Sequence, residues 1–385
     1  MAIPRALQIN LKNPGWVHCT ARCVRQAFLA GDRFEHRRGW IERRLQFLAG
    51  VFGCEIAAFS AMSNHLHVIV RMAPEAVEQW SAEEVALRWL RAYPGYRDDV
   101  DRSDAATVEI EDWKVTARAS DAEWIAERRQ RLASLSWFMR TLCEPIARRA
   151  NLEDDCSGRF WEGRFSSTPL LDDAALLACM VYVDLNPSRA KMATTVEDSD
   201  HTSVQLRLAA AQASLQSEVT AYGEATAADA DCDHAGTDMS SGLNDDSDDD
   251  GRRPVSLPIE RRCDLAEPTW LASLGRLTAR DSSTGYGGLS PLQYCRLVET
   301  TGRIVRGDKR GAVAGDLPDL LARLDPAFDL SSWVLTMCGW RQMSAGSVGS
   351  RASLRREAER RGLAHARTRC ALFRRRPAPP DTTAA

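Results

Sequence analysis

Ser60-Ala61-Met62-Ser63-Asn64-His65-Leu66-His67-Val68-Ile69-Val70 is the stretch that decides the fold. The β-branched run Val68-Ile69-Val70 reads as a buried strand. On a strand, residues i and i+2 point to the same face. His65 and His67 therefore project to one side while Leu66 and Val68 face the other. Two neutral imidazoles on one face make half of a metal site. Read alone, the pair is more readily two ordinary histidines of a strand than a metal site, because two ligands do not close a site.

Working outward, Gly15 to Val24 reads as a first strand. Residues 36–50 place Trp40, Leu45 and Leu48 among charges, the pattern of an amphipathic helix. Gly53 stops it, and Cys54 to Ala61 reads as a second strand, with Asn64 at the bend before the histidine strand. The order β-α-β-β begins a ferredoxin-like sheet. The expected class is α+β, an antiparallel sheet with helices.

Residues 73–127 read as an inserted excursion carrying Trp80, Trp89, Trp113 and Trp124. Helix returns over 128–150, where Leu132, Leu135, Phe138, Met139 and Leu142 recur at helical spacing among arginines that include Arg140. Gly158-Arg159-Phe160-Trp161-Glu162-Gly163-Arg164-Phe165 alternates arginine with aromatics. Bases stack on aromatic faces and phosphates pair with arginine, so this composition suits single-stranded nucleic acid; equally, the aromatics are core and the arginines solvated. Asp172 to Leu185 reads as a helix with acidic residues in its first turn. Pro187 ends it, leaving Asn186 as the last residue before the break. Tyr182 and Asn186, at i and i+4, share a helix face.

At 385 residues the chain suits two domains. Residues 196–260, rich in Ala, Ser and Asp, read as a disordered acidic linker. Short helical patterns over 261–376 predict a small helical accessory domain, and 377–385 a disordered tail. The net charge of −3 conceals an uneven distribution. Nine Asp and no Lys or Arg fall in 228–250, and outside that segment basic residues exceed acidic ones by six. Residues 351–376 hold ten Arg against two Glu, a basic arm suited to a polyanion. The longest apolar run, Ala174 to Val183, is far short of the roughly 18–20 residues of a membrane helix. Met1-Ala2-Ile3-Pro4-Arg5 lacks the apolar core of a signal peptide. The eleven cysteines contain no Cys-x-x-Cys pair, as expected of a reducing cytoplasm.

Four segments taken together resemble a known family: Met62 to Val70, Gly158 to Phe165, Leu171 to Ala178, and Tyr182-Val183-Asp184-Leu185-Asn186-Pro187-Ser188-Arg189-Ala190. The chain resembles the single-tyrosine HUH transposases, in particular the REP-associated tyrosine transposases, over roughly residues 10–195. The resemblance implies a ferredoxin-like antiparallel sheet with the tyrosine helix beside the histidine strand. It implies His65 and His67 as metal ligands, Asn186 as the polar residue completing the metal site, and Tyr182 as the nucleophile. It favours Mg²⁺ or Mn²⁺, although two imidazoles by ligand type also suit Zn²⁺. The expected substrate is single-stranded or hairpin DNA, cut through a 5′-phosphotyrosine link. Arg159, Trp161, Arg164 and Arg140 are the expected strand contacts. The expected location is cytoplasmic, at the nucleoid, with monomer and homodimer both open. The excursion at 73–127 and everything past about 200 depart from the minimal family pattern. Two rival readings stand beside this one: a non-catalytic hairpin-binding regulator on the same fold, and a metal-dependent phosphodiesterase that uses water and leaves no protein–DNA adduct.

Overall fold

The expected strands and helices alternate along the first half of the chain. The computed structural model describes residues 14–94, 109–232, 267–277, 289–305, 321, 330–343 and 346–363. Within these, β1 (Trp16–Arg22), α1 (His36–Ala49), β2 (Cys54–Ala61) and β3 (His65–Met72) follow the expected order. Four short helices fill the excursion and its exit: α2 (Pro74–Glu78), α3 (Ala82–Ala92), α4 (Asp112–Ala119) and α5 (Ala122–Leu132). Then come α6 (Leu135–Glu153), β4 (Ser166–Leu170), α7 (Asp173–Asp184) and the single turn α8 (Asn186–Arg189). The helix expected over 128–150 is thus two helices with a break at Ala133–Ser134.

The strands form one antiparallel sheet in the order β2-β3-β1-β4. β4 is an edge strand, which is why Pro169, lacking a backbone donor, is tolerated there. The strands alternate into two cores. Val17, Cys19, Ala21, Leu66, Val68 and Val70 meet α1 and α6 on one side. Ile69, Leu170 and Ala58 meet α7 on the other. β3 is therefore buried on both faces, as its apolar run requires.

Every residue of α7 except Ala174 is buried. A helix apolar all round needs cover on its outer side as well as against the sheet. That cover comes from α9 (Ser203–Cys232), α10 (Pro291–Val305) and α11 (Leu330–Met343), with α12 (Arg351–Arg360) beyond. The residues expected to be a disordered linker are in part this α9. Val204, Leu208 and Ala211, spaced by four and three, form a buried stripe that secures its first turns. Arg207, fully buried beside them, pairs with Glu267 and donates to the carbonyls of Ala57 and Ala272. Residues 233–266, with most of the acidic block, lie outside the described residues, as do the end of the basic arm and the tail. The described part of 261–376 shares one core with α7 and the sheet. Two further ties hold it there. Val348 bridges Leu170 at the β4 edge, its N–H donating to Pro169 O at 2.9 Å. Asp184, on α7, accepts from Ser203 Oγ at 2.6 Å and Tyr294 Oη at 2.5 Å.

Pro187 does not end the tyrosine helix. α7 stops at Asp184, and Pro187 sits in the first turn of α8, where a missing N–H costs nothing.

Candidate functional site

Strand register brings the polar residues of three strands to one face. Thr20 lies opposite His67 and Arg22 opposite His65 across the β1–β3 pair. His18 lies opposite Thr168, and Thr20 opposite Ser166, across β1–β4. The same parity that sends Leu66 and Val68 into the α1 core sends both imidazoles toward α7. There they line an open cavity of about 580 Å³, whose wall also includes Tyr182, Asn64, Gln26 and Phe28.

Hydrogen bonds fix both imidazoles through the same ring atom. His65 Nδ1 is 2.6 Å from Asn64 Oδ1. The Asn64 amide is oriented in turn, since its Nδ2 donates to Gln26 O at 3.0 Å. A carboxamide oxygen only accepts, so His65 Nδ1 carries a proton, which in the neutral ring leaves the lone pair on Nε2. His67 Nδ1 is engaged by His18 Nε2 at 2.8 Å and Thr20 Oγ1 at 3.1 Å. His18 is buried, and burial, followed by the neighbouring His65 charge, pushes its imidazolium down to about 4. It is a neutral ring at physiological pH. Metal-binding histidines are commonly oriented by a fixed partner on the second ring nitrogen, which both rings have here.

Tyr182 stands on the same side of the sheet. Its ring centroid is 5.9 Å from that of His67 and 6.3 Å from that of His18, edge-on to both. The residue is only 4 % exposed, yet it forms part of the cavity wall. Trp340 of α11 stacks on its ring at 5.6 Å, and the Arg189 guanidinium lies 5.5 Å from the ring centre. Arg189 also donates to Met337 O at 3.1 Å, tying α8 to α11.

Asn186 is buried, and its Nδ2 donates to Tyr182 O at 3.0 Å and Val183 O at 3.3 Å, closing the C-terminal end of α7. It is not among the residues lining the cavity. The wall thus carries two of the three expected ligands. Among the described residues no group of three or more His, Cys, Asp or Glu is placed to hold a metal ion.

The expected strand contacts fall outside the cavity. Arg159 and Arg164 are exposed on the loop before β4, two strand residues of which, Ser166 and Thr168, do reach the cavity. Trp161 packs against the α1-side core, with its Nε1 donating to Cys143 O at 2.9 Å. Its ring edge meets Phe160 at 4.8 Å. Arg140 is exposed on α6, pairs with Glu144 at 3.0 Å and lies over the Trp137 ring.

Two features of the site were not read from the sequence. His18 is a single histidine in a strand, and only the long-range register across β1–β3 gives it a partner. Trp340 reads as one apolar position of a helical pattern, and its stacking on Tyr182 depends on how that helix docks. Among the described residues no helix is long and apolar enough to cross a membrane. No family model, curated protein or solved structure matches this chain, so the likeness to the HUH transposases rests on the quoted motifs alone.

Proposed function

We propose that this chain is a single-strand DNA endonuclease and strand transferase of the HUH tyrosine type, acting on hairpin or repeat DNA at the nucleoid. The observation that carries the reading is the placement of Tyr182 and His67 on one wall of one open cavity, their ring centres 5.9 Å apart. The two residues are 115 positions apart in sequence, and neither motif alone brings them together. The strand order β2-β3-β1-β4 supports the same reading, since it is the order of a ferredoxin-like sheet.

Tyr182 Oη attacks a backbone phosphorus. A P–O(Tyr) bond forms and the P–O3′ bond breaks. The phenol gives up its proton and the departing 3′ oxygen takes one, leaving a 5′-phosphotyrosine and a free 3′-hydroxyl. Attack by that or another 3′-hydroxyl reverses the step and joins ends. The phosphodiester energy stays in the covalent link, so no nucleotide cofactor is consumed. The edge-on contacts of His18 and His67 and the stacked Trp340 hold the phenol in place.

The donor chemistry fits a divalent ion in part. His65 and His67, each with Nδ1 engaged, would hold Mg²⁺ or Mn²⁺ through Nε2; Asn186, the third ligand the resemblance implies, caps the end of α7 and does not line the cavity. When bound, such an ion supplies charge relief to the phosphate.

The test is incubation of the full chain with end-labelled hairpin-bearing single-stranded oligonucleotides and Mg²⁺ or Mn²⁺. A covalent species that resists denaturant, and is lost in Tyr182→Phe, supports the proposal; retention of the adduct in Tyr182→Phe refutes the assignment. One observation favours the second reading, a non-catalytic hairpin-binding regulator: Tyr182 is 4 % exposed, with Trp340 over its ring. Tight hairpin binding with no adduct and no cleavage under either metal would establish it.

A further inference from the structure

The cavity is larger than the phosphate chemistry requires. At about 580 Å³ it lies within the range of roughly 300–1,000 Å³ that accommodates organic ligands. The histidines and Tyr182 occupy part of its wall, and Arg22, Gln26 and Phe28 form another.

Single exposed apolar side chains are ordinary on protein surfaces. Three facts set Phe28 apart. It is 61 % exposed and belongs to the same cavity wall as His65, His67 and Tyr182. Its loop is fastened to the turn before β3, with Cys23 N donating to Asn64 O at 2.8 Å and Ala30 N to Ser63 O at 2.8 Å. Gly31 lies so close to Ser63 that a Cβ there would come within 2.5 Å of the serine Cβ. The loop also holds two consecutive non-glycine residues in the left-handed region, Arg25 at φ 55° and Gln26 at φ 57°. Such conformations are costly and persist where surrounding contacts over-determine them. The result is a mount, tied to the turn before β3, that holds a solvent-exposed phenyl ring on the cavity wall. The same mount joins the site chemistry, because Gln26 O accepts from the Asn64 amide that orients His65.

We infer that Phe28, which lines the cavity together with Arg22 and Gln26, is a nucleobase subsite. An unpaired base of the bound strand stacks on the Phe28 ring, and the Arg22 guanidinium, opposite His65 on β1, meets the adjoining phosphate. This rests on the single-strand DNA reading above and adds the element that senses whether a base is present and unpaired. A duplex, whose bases are already stacked on each other, has no face to offer the ring.

The test is fluorescence anisotropy of the full chain with a labelled thymidylate 20-mer and with a base-free 20-mer of the same sugar-phosphate backbone. Wild type binds the thymidylate strand more tightly. Phe28→Ala weakens thymidylate binding by about 5- to 150-fold, the range for losing one base–aromatic stack. It leaves base-free binding within about twofold, and Phe28→Trp retains the preference for bases. The side chain is exposed, so neither variant should unfold the chain. Equal wild-type affinity for the two strands overturns the subsite, as does equal loss on both strands in Phe28→Ala. Absence of any wild-type affinity for single-stranded DNA overturns the functional reading itself. Wild-type adduct formation on hairpin DNA with an unchanged Phe28→Ala profile removes the subsite alone.

Discussion

Replacing His18 by Phe tests whether the histidine pair is organised for metal. The ring of His18 is buried and its Nε2 holds His67 Nδ1 at 2.8 Å. Phe roughly fills the same space without a nitrogen, so loss of packing is kept small. Removing a partner that orients a metal-binding histidine typically costs 10- to 100-fold in affinity, about 1.4–2.7 kcal/mol. Thr20 Oγ1 remains on the same nitrogen at 3.1 Å. The single variant should therefore fall at the low end, about tenfold. Thr20→Val combined with His18→Phe should approach about 100-fold. The assay is Mn²⁺ titration of the full chain followed by calorimetry, with thermal melting of the metal-free variants as a control. A merely structural role would move the melting temperature and leave Mn²⁺ affinity alone. Mn²⁺ affinity unchanged in the double variant would refute the orienting role.

Three other outcomes follow from the packing. Burial holds the Asp184 carboxyl up at about 6 against an ordinary 3.8, with Ser203 and Tyr294 hydrogen bonds opposing the shift. A raised folded-state pKa contributes stability that is complete below about 4 and lost as pH rises through 6. Relative to Asp184→Asn, wild type should therefore lose roughly 2–3 kcal/mol between pH 4 and 7; denaturant unfolding at the two pH values measures it, and the opposing His18 titration cancels in the difference. Leu208→Ala should cost about 2–3 kcal/mol and lower the melting temperature if α9 is packed, whereas a disordered segment predicts no change. Arg159→Ala with Arg164→Ala should flatten the salt dependence of single-strand binding by about 0.7 in log–log slope for each phosphate that an arginine no longer neutralises; an unchanged slope means those exposed arginines are only solvated.

Local periodicity carried the parts of this fold that local periodicity decides. Alternation in His65 to Val70 fixes which way both imidazoles point. The apolar run around Tyr182, bounded by Asp172, marks a buried helix. β4 is not legible in the sequence because Ser166-Ser167-Thr168-Pro169-Leu170 has little β-propensity and contains a proline, and its pairing depends on lying at the sheet edge beside β1. The start of α9 is obscured by alanine and serine, residues that suit a linker until Val204 and Leu208 join the core of α7 and α10. The Arg–aromatic alternation at 158–165 looked like a strand-binding element. Yet the Trp161 indole N–H is spent on Cys143 O, so at least that residue belongs to the packing. His18 shows the limit most plainly. Its partner lies 49 residues away, and the pairing exists only once the register of β1 against β3 is set.

On the proposed function, the Tyr182 phenol, beside two oriented imidazoles, takes a phosphate of single-stranded DNA onto itself. The most direct test is peptide mapping of the product trapped with hairpin DNA and Mn²⁺. Trypsin cleavage after Arg164 and Arg189 yields the peptide 165–189, in which Tyr182 is the sole tyrosine. The expected result is that this peptide carries the 5′-phosphorylated oligonucleotide on Tyr182. An adduct on any other residue, or cleavage that releases both DNA ends with no adduct, would contradict it.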